Sequence, residues 1–541
     1  MDTTRLIIFV VLSFAILFGW QKWQQVQYPP QPTNQTAPLE SSAIDLPAKM
    51  PTTLAHGDRI RVTTDLFDAE IDTLGGDLRK VTLLAYTQRN ATHKHFDLLQ
   101  DNDKHIYVAQ TGLLSPQKAH LPTHRSLFSS AQHKYHLDEG QNTLTVRLES
   151  PVVDQVKVIK TYTFRRNSYV IDVGYTIINE SEQALPLTAY YRFLRDSKTL
   201  DTPSAWEMSP FTGPAVYTDE KKFQKVNFED LVKAKADYPR DVNNGWVAML
   251  QHYFVSAWLL SPKHADSVCA TKQCRFELKA VGDDLYSAGV IVKIPDIAAK
   301  QSVSLMVPLF AGPEQTKALE NAAVGLDLVK DYGWVTIIAK PLFWLLDLIH
   351  RVVGNWGWAI VLLTVLIKIA FYPLSAASYR SIAKMKKLTP RMQRLKELYA
   401  DDRMKFQQAV MEMYKSEKVN PLGGCLPMLV QFPVFIALYY TLYAAVEMRE
   451  APWILWIKDL SIADPFFVLP VVMAISMYAQ TFLNPAQTDP IQDKIMKIMP
   501  LAFSIMFFFL PAGLVLYWVV NNILSIAQQW YITRRIEQHS G

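Results

Sequence analysis

NWGWAIVLLTVLIKIAFYPL, residues 355–374, is a run of twenty mostly apolar residues interrupted by one charge, Lys368. Twenty such residues, rising 1.5 Å each as a helix, match the roughly 30 Å hydrocarbon layer of a bilayer. A lysine there costs on the order of 3 kcal/mol on insertion scales, so it must face protein or water rather than lipid. Its own helix agrees: Thr364, Lys368 and Tyr372 recur at intervals of four and share one face, while Val361, Leu362, Leu363 and Ile367 supply the rest. Lys368 stands six residues before Leu374, about 9 Å along the helix from that end of the run.

Four further runs follow at about 422–446, 466–483, 496–511 and 513–532, and a first one lies at residues 6–20, so the pattern predicts six spans. No small-x-small cleavage site follows the first run, which reads as an uncleaved signal anchor within 1–23. Of 541 residues 50% are hydrophobic and only 19% charged, and the net charge of +5 is concentrated. Residues 375–420 hold eleven Lys/Arg against five Asp/Glu. A basic loop this short is expected on the cytoplasmic side, which places both termini inside and the bulk of the polar chain outside. The loop reads as a helical hairpin, with Thr389 and Pro390 as N-cap and first helical position, a turn at Ala400–Asp402, and a second helix through Phe406, Val410 and Met413. Its exposed basic residues, Lys384, Lys386, Lys387 and Arg391, are candidates for contact with a ribosome, targeting machinery or anionic lipid. A solvated loop without a partner is the plainer alternative.

Between the first two spans, residues 24–56 are Pro-rich and too poor in apolar side chains to pack, as in a linker. From 57 to 333 the pattern alternates with period two, as in RIRVTTDLFDAEIDTLGGDLRKV, and VKVIKTYTFRRNSYVIDVGYTIIN reads as a hairpin turning at Arg165–Ser168. This predicts a large β-sandwich. Its histidine pairs, His120 and His124 among them, lack Cys or carboxylate neighbours and read as loop residues rather than a metal site. Cys269 and Cys274 are close enough in sequence to pair or to remain two thiols. WVTIIAKPLFWLLDLIHRVV, 334–353, sets Lys340, Asp347 and Arg351 apart from an apolar side and reads as an amphipathic helix lying along the outer membrane surface. The five-helix region is then 354–532, with a tail at 533–541.

The last run carries a second polar stripe, Tyr517, Asn521, Ser525 and Gln528, and Gln431 sits in the middle of the third. One lone Gln is most simply an interhelical hydrogen bond worth about 0.6 kcal/mol. Two stripes and a cation together suggest a hydrated site in the cytoplasmic half of the membrane. No Asp or Glu lies inside a run, so the carboxylate relay of a proton-coupled transporter has no counterpart, and no inverted repeat is evident. A membrane-tethered carbohydrate-binding or isomerising protein would need a catalytic pair in the β-region, which the sequence does not place.

KVNPLGGCLPMLVQFPVFIALYY, 418–440, resembles the signature of the YidC/Oxa/Alb membrane protein insertases, with Asn420, Pro421, Gly424, Cys425, Pro427, Gln431, Pro433 and Phe435 matching. The resemblance extends through FYPL at 371–374, DPIQDKIMKIMP at 489–500 and GLVLYWVVNN at 513–522, and covers essentially the whole chain. It implies a five-helix core with a groove open to cytoplasm and lipid, and a periplasmic domain of galactose-mutarotase-like supersandwich fold without a transferred activity. The implied setting is a bacterial inner membrane, the substrates nascent inner-membrane proteins, and a Sec translocon a further partner. Lys368 falls where Gram-negative members usually carry the groove arginine. No cofactor is implied: burial of apolar surface, at about 25 cal/mol per Å², drives insertion once the polar barrier is lowered. By this reading the protein is not an enzyme.

Overall fold

The computed structural model describes residues 54–88, 91–116, 121–199, 210–263, 267–269, 273–330, 332–399, 402–417, 426–483 and 490–538. The expected anchor at 1–23, nearly all of the linker and the 418–425 part of the signature, Cys425 included, lie outside them.

The β-region forms two sheets, of ten and nine strands among the described residues. The expected hairpin is there, as Val156–Arg165 against Val170–Asn179, with Phe164 opposite Ile171 and Val158 opposite Ile177. Alternation explains its packing: Val158, Tyr162, Phe164, Ile171, Val173, Tyr175 and Ile177 are all buried in one core with Ile60, Leu78, Tyr191 and Phe193 of the other sheet. Asn167 takes a positive φ of 54° in the connection, a conformation Asn tolerates better than most residues. Cys269 and Cys274 form a disulfide with a Cα separation of 5.4 Å. The reading of the histidines as solvated loop residues fails at His124, which lies in a turn but is not solvated. It is buried, its Nδ1 is 2.6 Å from the Tyr190 hydroxyl, and the Arg192 guanidinium approaches its other nitrogen. His120 lies outside the described residues.

Two short helices, α1 (Phe228–Val232) and α2 (Thr316–Ala322), decorate the sandwich. The chain then enters α3 (Thr336–Val353), the expected amphipathic helix. Ala339, Phe343 and Leu346 are buried, whereas Ile337, Trp344, Leu348 and Val352 form an exposed apolar stripe beside Lys340, Asp347 and Arg351. Next come α4 (Trp356–Ala370), α5 (Tyr372–Leu398), α6 (Arg403–Ser416), α7 (Leu426–Ala444), α8 (Val468–Thr481), α9 (Pro490–Ser504) and α10 (Ala512–Gln538). Four of them share a core in which Ile360 and Leu363 of α4 meet Leu438 and Leu442 of α7, Met473 of α8, and Leu516 and Tyr517 of α10.

Several boundaries differ from the sequence reading. The run at 355–374 is not one helix: it bends by 67° at Phe371, where α4 ends and α5 begins. Pro373 lacks an N–H to continue the ladder and sits in the first turn of α5, where that loss is harmless. Thr389 and Pro390 do not start a helix. They lie inside α5, a single 27-residue helix, because Tyr372 onward is already helical. The true cap is Asp402, whose Oδ1 accepts the Lys405 N–H at 3.0 Å to open α6. Among the described residues no single helix is long and apolar enough to cross a membrane, and only the bent pair α4 and α5 passes that test together. Yet large apolar side chains stand exposed around the bundle, among them Ile369, Phe432, Ile475, Leu501, Ile505 and Ile523. A surface of that kind suits lipid rather than water.

The two halves are joined at the loop after α7. Lys330 Nζ donates to both oxygens of Glu447 at 2.9 and 3.1 Å. The Thr87 N–H and hydroxyl both donate to Glu450 at 2.6 Å.

Candidate functional site

Lys368 lies in the last turn of α4, where a cation is favoured by the helix dipole, and is buried at 4% exposure. Its Nζ donates to Ser525 Oγ of α10 at 2.7 Å. Ser525 in turn donates to the Asn521 carbonyl one turn earlier at 2.7 Å. Asn521 Oδ1 accepts from Gln431 Nε2 of α7 at 2.5 Å, and Gln431 also hydrogen-bonds the Tyr517 hydroxyl. Three helices therefore bring Lys368 of the first stripe, Gln431, and Tyr517, Asn521 and Ser525 of the second stripe into one polar chain. Among the described residues no carboxylate pairs with Lys368.

The remaining expected members divide. Thr364 is buried one turn before Lys368, but its hydroxyl donates to the Ile360 carbonyl at 2.7 Å and is thus absorbed by its own helix. Gln528 keeps the stripe's direction, with its buried Oε1 accepting no hydrogen bond among the described residues. Tyr372 is not brought to the site. The bend at Phe371 breaks the interval of four, and Tyr372 is left 41% exposed on α5.

Sequence reasoning missed two groups. Tyr379 of α5 hydrogen-bonds Ser525, a contact only the bend makes available. Asn522 and Gln529 form a second polar line on α10, donating to Ser476 Oγ of α8 at 2.8 Å and to the Leu483 carbonyl at 3.2 Å. Their seven-residue interval was the available signal, but it was hidden by the neighbouring stripe.

The basic hairpin carries Lys384, Lys386 and Lys387 exposed on α5. Arg391 differs from them: it is ion-paired with Glu417 just beyond α6 and so ties the two helices together. In the β-region, Lys160 and Asp77 are fully buried and 3.7 Å apart, closed to any substrate. Burial pulls the Lys160 ammonium down to about 8, against the attraction of Asp77. Burial, followed by the Arg192 charge, holds the His124 imidazole down at about 3.

Residues 59–345 match the family described as the YidC periplasmic domain, and residues 348–539 the family described as 60Kd inner membrane protein. A membrane protein insertase YidC of Laribacter hongkongensis is 58% identical over all of this chain and 99% of its own length. That of Aromatoleum aromaticum is 50% identical over 100% and 99%. A YidC insertase crystal structure covers 90% of this chain and 95% of its own at 18% identity, with a TM-score of 0.42. These matches define an inner-membrane protein with a periplasmic domain. The chain belongs to the YidC family of membrane protein insertases, which are not enzymes.

Proposed function

We propose that this chain inserts nascent inner-membrane proteins by receiving their hydrophilic extracytoplasmic segments at the polar chain around Lys368 while their apolar helices pass into lipid. The observation that carries the reading is a buried cation whose one hydrogen-bond partner among the described residues is a neutral hydroxyl, Ser525. A carboxylate in place of the missing partner gains a charge-assisted hydrogen bond, so an acidic segment crossing the bilayer finds part of its lost hydration replaced. Lysine serves in this position only while water reaches it, because a dry ammonium gives up its proton more readily than a guanidinium. Gln431, Tyr517, Asn521, Ser525 and Gln528 extend the same surface to uncharged polar segments.

The arrangement we infer has six spans: the anchor within 1–23 and five in 354–532. Both termini and the hairpin at 375–420 are cytoplasmic, with the β-domain at 57–333 periplasmic and 334–353 along the outer surface. Lys384, Lys386 and Lys387 support contact with a ribosome, targeting machinery or anionic lipid, and a Sec translocon is a partner for larger substrates. The test is depletion of the protein, followed by protease accessibility of small membrane proteins alongside solute uptake. Failed insertion with intact uptake supports the reading; normal insertion with failed uptake would return the transporter alternative.

A further inference from the structure

A cavity of about 440 Å³, within the range of small-molecule sites, opens where α2 and the segment after it meet α3 and the loop after α7. Its lining carries four cations, Lys317, Lys330, Lys340 and Arg351, and four carboxylates, Glu320, Asp327, Asp347 and Glu447. The deep end is internally satisfied: Lys330 donates to Glu447 and to Thr316 Oγ1 at 3.0 Å and lies 4.3 Å from the Phe343 ring centre. Nearer the mouth Lys340 pairs with Asp327 at 3.0 Å and Arg351 with Asp347, both cations remaining about half exposed. Lys317 and Glu320, one turn apart on α2, are exposed and form no ion pair among the described residues. The stripe of Ile337, Trp344, Leu348 and Val352 runs from this mouth along α3, with Ile337 and Val352 88% and 84% exposed.

We propose that the cavity binds the headgroup of a zwitterionic, primary-amine phospholipid of the outer leaflet, with its acyl chains along the α3 stripe. The phosphate meets Lys317 and the open edges of Lys340 and Arg351, and the ammonium meets Glu320 and Asp347. Charge balance selects the class. Among the described residues Lys317 and Glu320 are the lining charges without an ion pair, one of each sign, so an anionic glycerol headgroup leaves Glu320 unanswered, and a trimethylated amine has no N–H to donate to it. The tryptophan at the mouth suits the headgroup level, where such rings gather. The inference rests on α3 lying along the outer surface, as in the arrangement above.

The test uses the full chain, delipidated in detergent and titrated with short-chain phosphatidylethanolamine, phosphatidylglycerol or phosphatidylcholine, with bound lipid counted by native mass spectrometry. Wild type should prefer the ethanolamine lipid about tenfold, the worth of one charge-assisted hydrogen bond. Lys317→Gln with Glu320→Gln should remove the preference, and Trp344→Ala should weaken all binding while keeping the order. Millimolar inorganic phosphate should not displace the lipid. Equal binding of the three lipids, an unchanged preference in the double variant, or displacement by phosphate alone would overturn the site. Reporter insertion by the same wild-type preparation separates the two readings: insertion without lipid preference sinks the headgroup site and leaves the insertase reading intact.

Discussion

The guanidinium of Arg449, in the loop after α7, lies 5.4 Å from the ring of Phe96 in the β-domain. Phe254 at 5.4 Å and Tyr253 at 5.9 Å complete an aromatic cage, and an Arg449 N–H donates to the Thr87 carbonyl. The flanking residues Glu447 and Glu450 bond Lys330 and Thr87. Three residues within positions 447–450 thus hold the sandwich against the helical bundle.

Arg449→Ala should loosen that joint without unfolding either half. A desolvated cation over aromatic faces is worth about 2 kcal/mol or more, to which one charged hydrogen bond adds. Hydrogen exchange should rise at residues 446–451 and 84–88 and stay unchanged at 156–179. Unaltered exchange at the loop would mean the cage contributes nothing to docking.

The β-domain should lose stability in mild acid through His124. The imidazole is held at about 3 in the folded state, against about 6.5 when unfolded, so between those values the unfolded chain binds more protons. Stability is therefore complete above pH 6.5 and falls as pH drops toward 3, by about 2 kcal/mol at most between pH 6.5 and 5. Lys160, lowered to about 8, adds a slope only above pH 8, where stability still rises with pH toward the unfolded value. Thermal unfolding across pH 5 to 7.5 should show the loss in wild type and a flatter profile in His124→Gln. Parallel profiles would remove His124 as the cause.

The strands were legible wherever alternation was strict. Val158, Tyr162 and Phe164 against Ile171, Val173 and Tyr175 could pack only one way, since a one-residue slip turns the whole set to solvent. The polar chain was legible because Lys368, Asn521 and Ser525 obey helical spacing within single helices. What failed were inferences that crossed a break. Tyr372 fits the Thr364–Lys368 interval only if the helix is straight, and no local residue announces the 67° bend beyond Pro373. Pro390 looked like a helix start because proline favours that place, yet it is also tolerated within α5. The partners of Asn522 and Gln529 come from α8 and the segment just after it, and no pattern within α10 names them.

Neutralising the exposed face of the hairpin should weaken docking of translating ribosomes or anionic vesicles. In Lys384→Gln, Lys386→Gln and Lys387→Gln together, the affinity at low salt should fall toward the value wild type shows at high salt, since these charges act through screened attraction. Arg391→Gln should behave differently, opening the α5–α6 hairpin through loss of Glu417 and raising its protease sensitivity. Binding that ignores both salt and the triple substitution would leave the hairpin a solvated loop.

Lys368 should act through its charge, and the outcome should depend on the substrate. Lys368→Arg keeps a cation that still reaches Ser525 and should retain insertion. Lys368→Ala leaves the Ser525 hydroxyl bonded to the Asn521 carbonyl and the Gln431–Asn521 bond untouched, so the polar surface survives without its charge. That variant should insert a reporter with an uncharged extracytoplasmic segment nearly as well as wild type and lose about tenfold for each acid added, the order expected of one charge-assisted contact. Lys368→Glu should be worse for acidic reporters, because a like charge at a few ångströms repels the segment. Protease accessibility of reporters carrying zero, one or two acids measures the series. If all three reporters insert equally in the wild type, Ala and Glu proteins, Lys368 serves only helix packing, and the site must be sought elsewhere in the bundle.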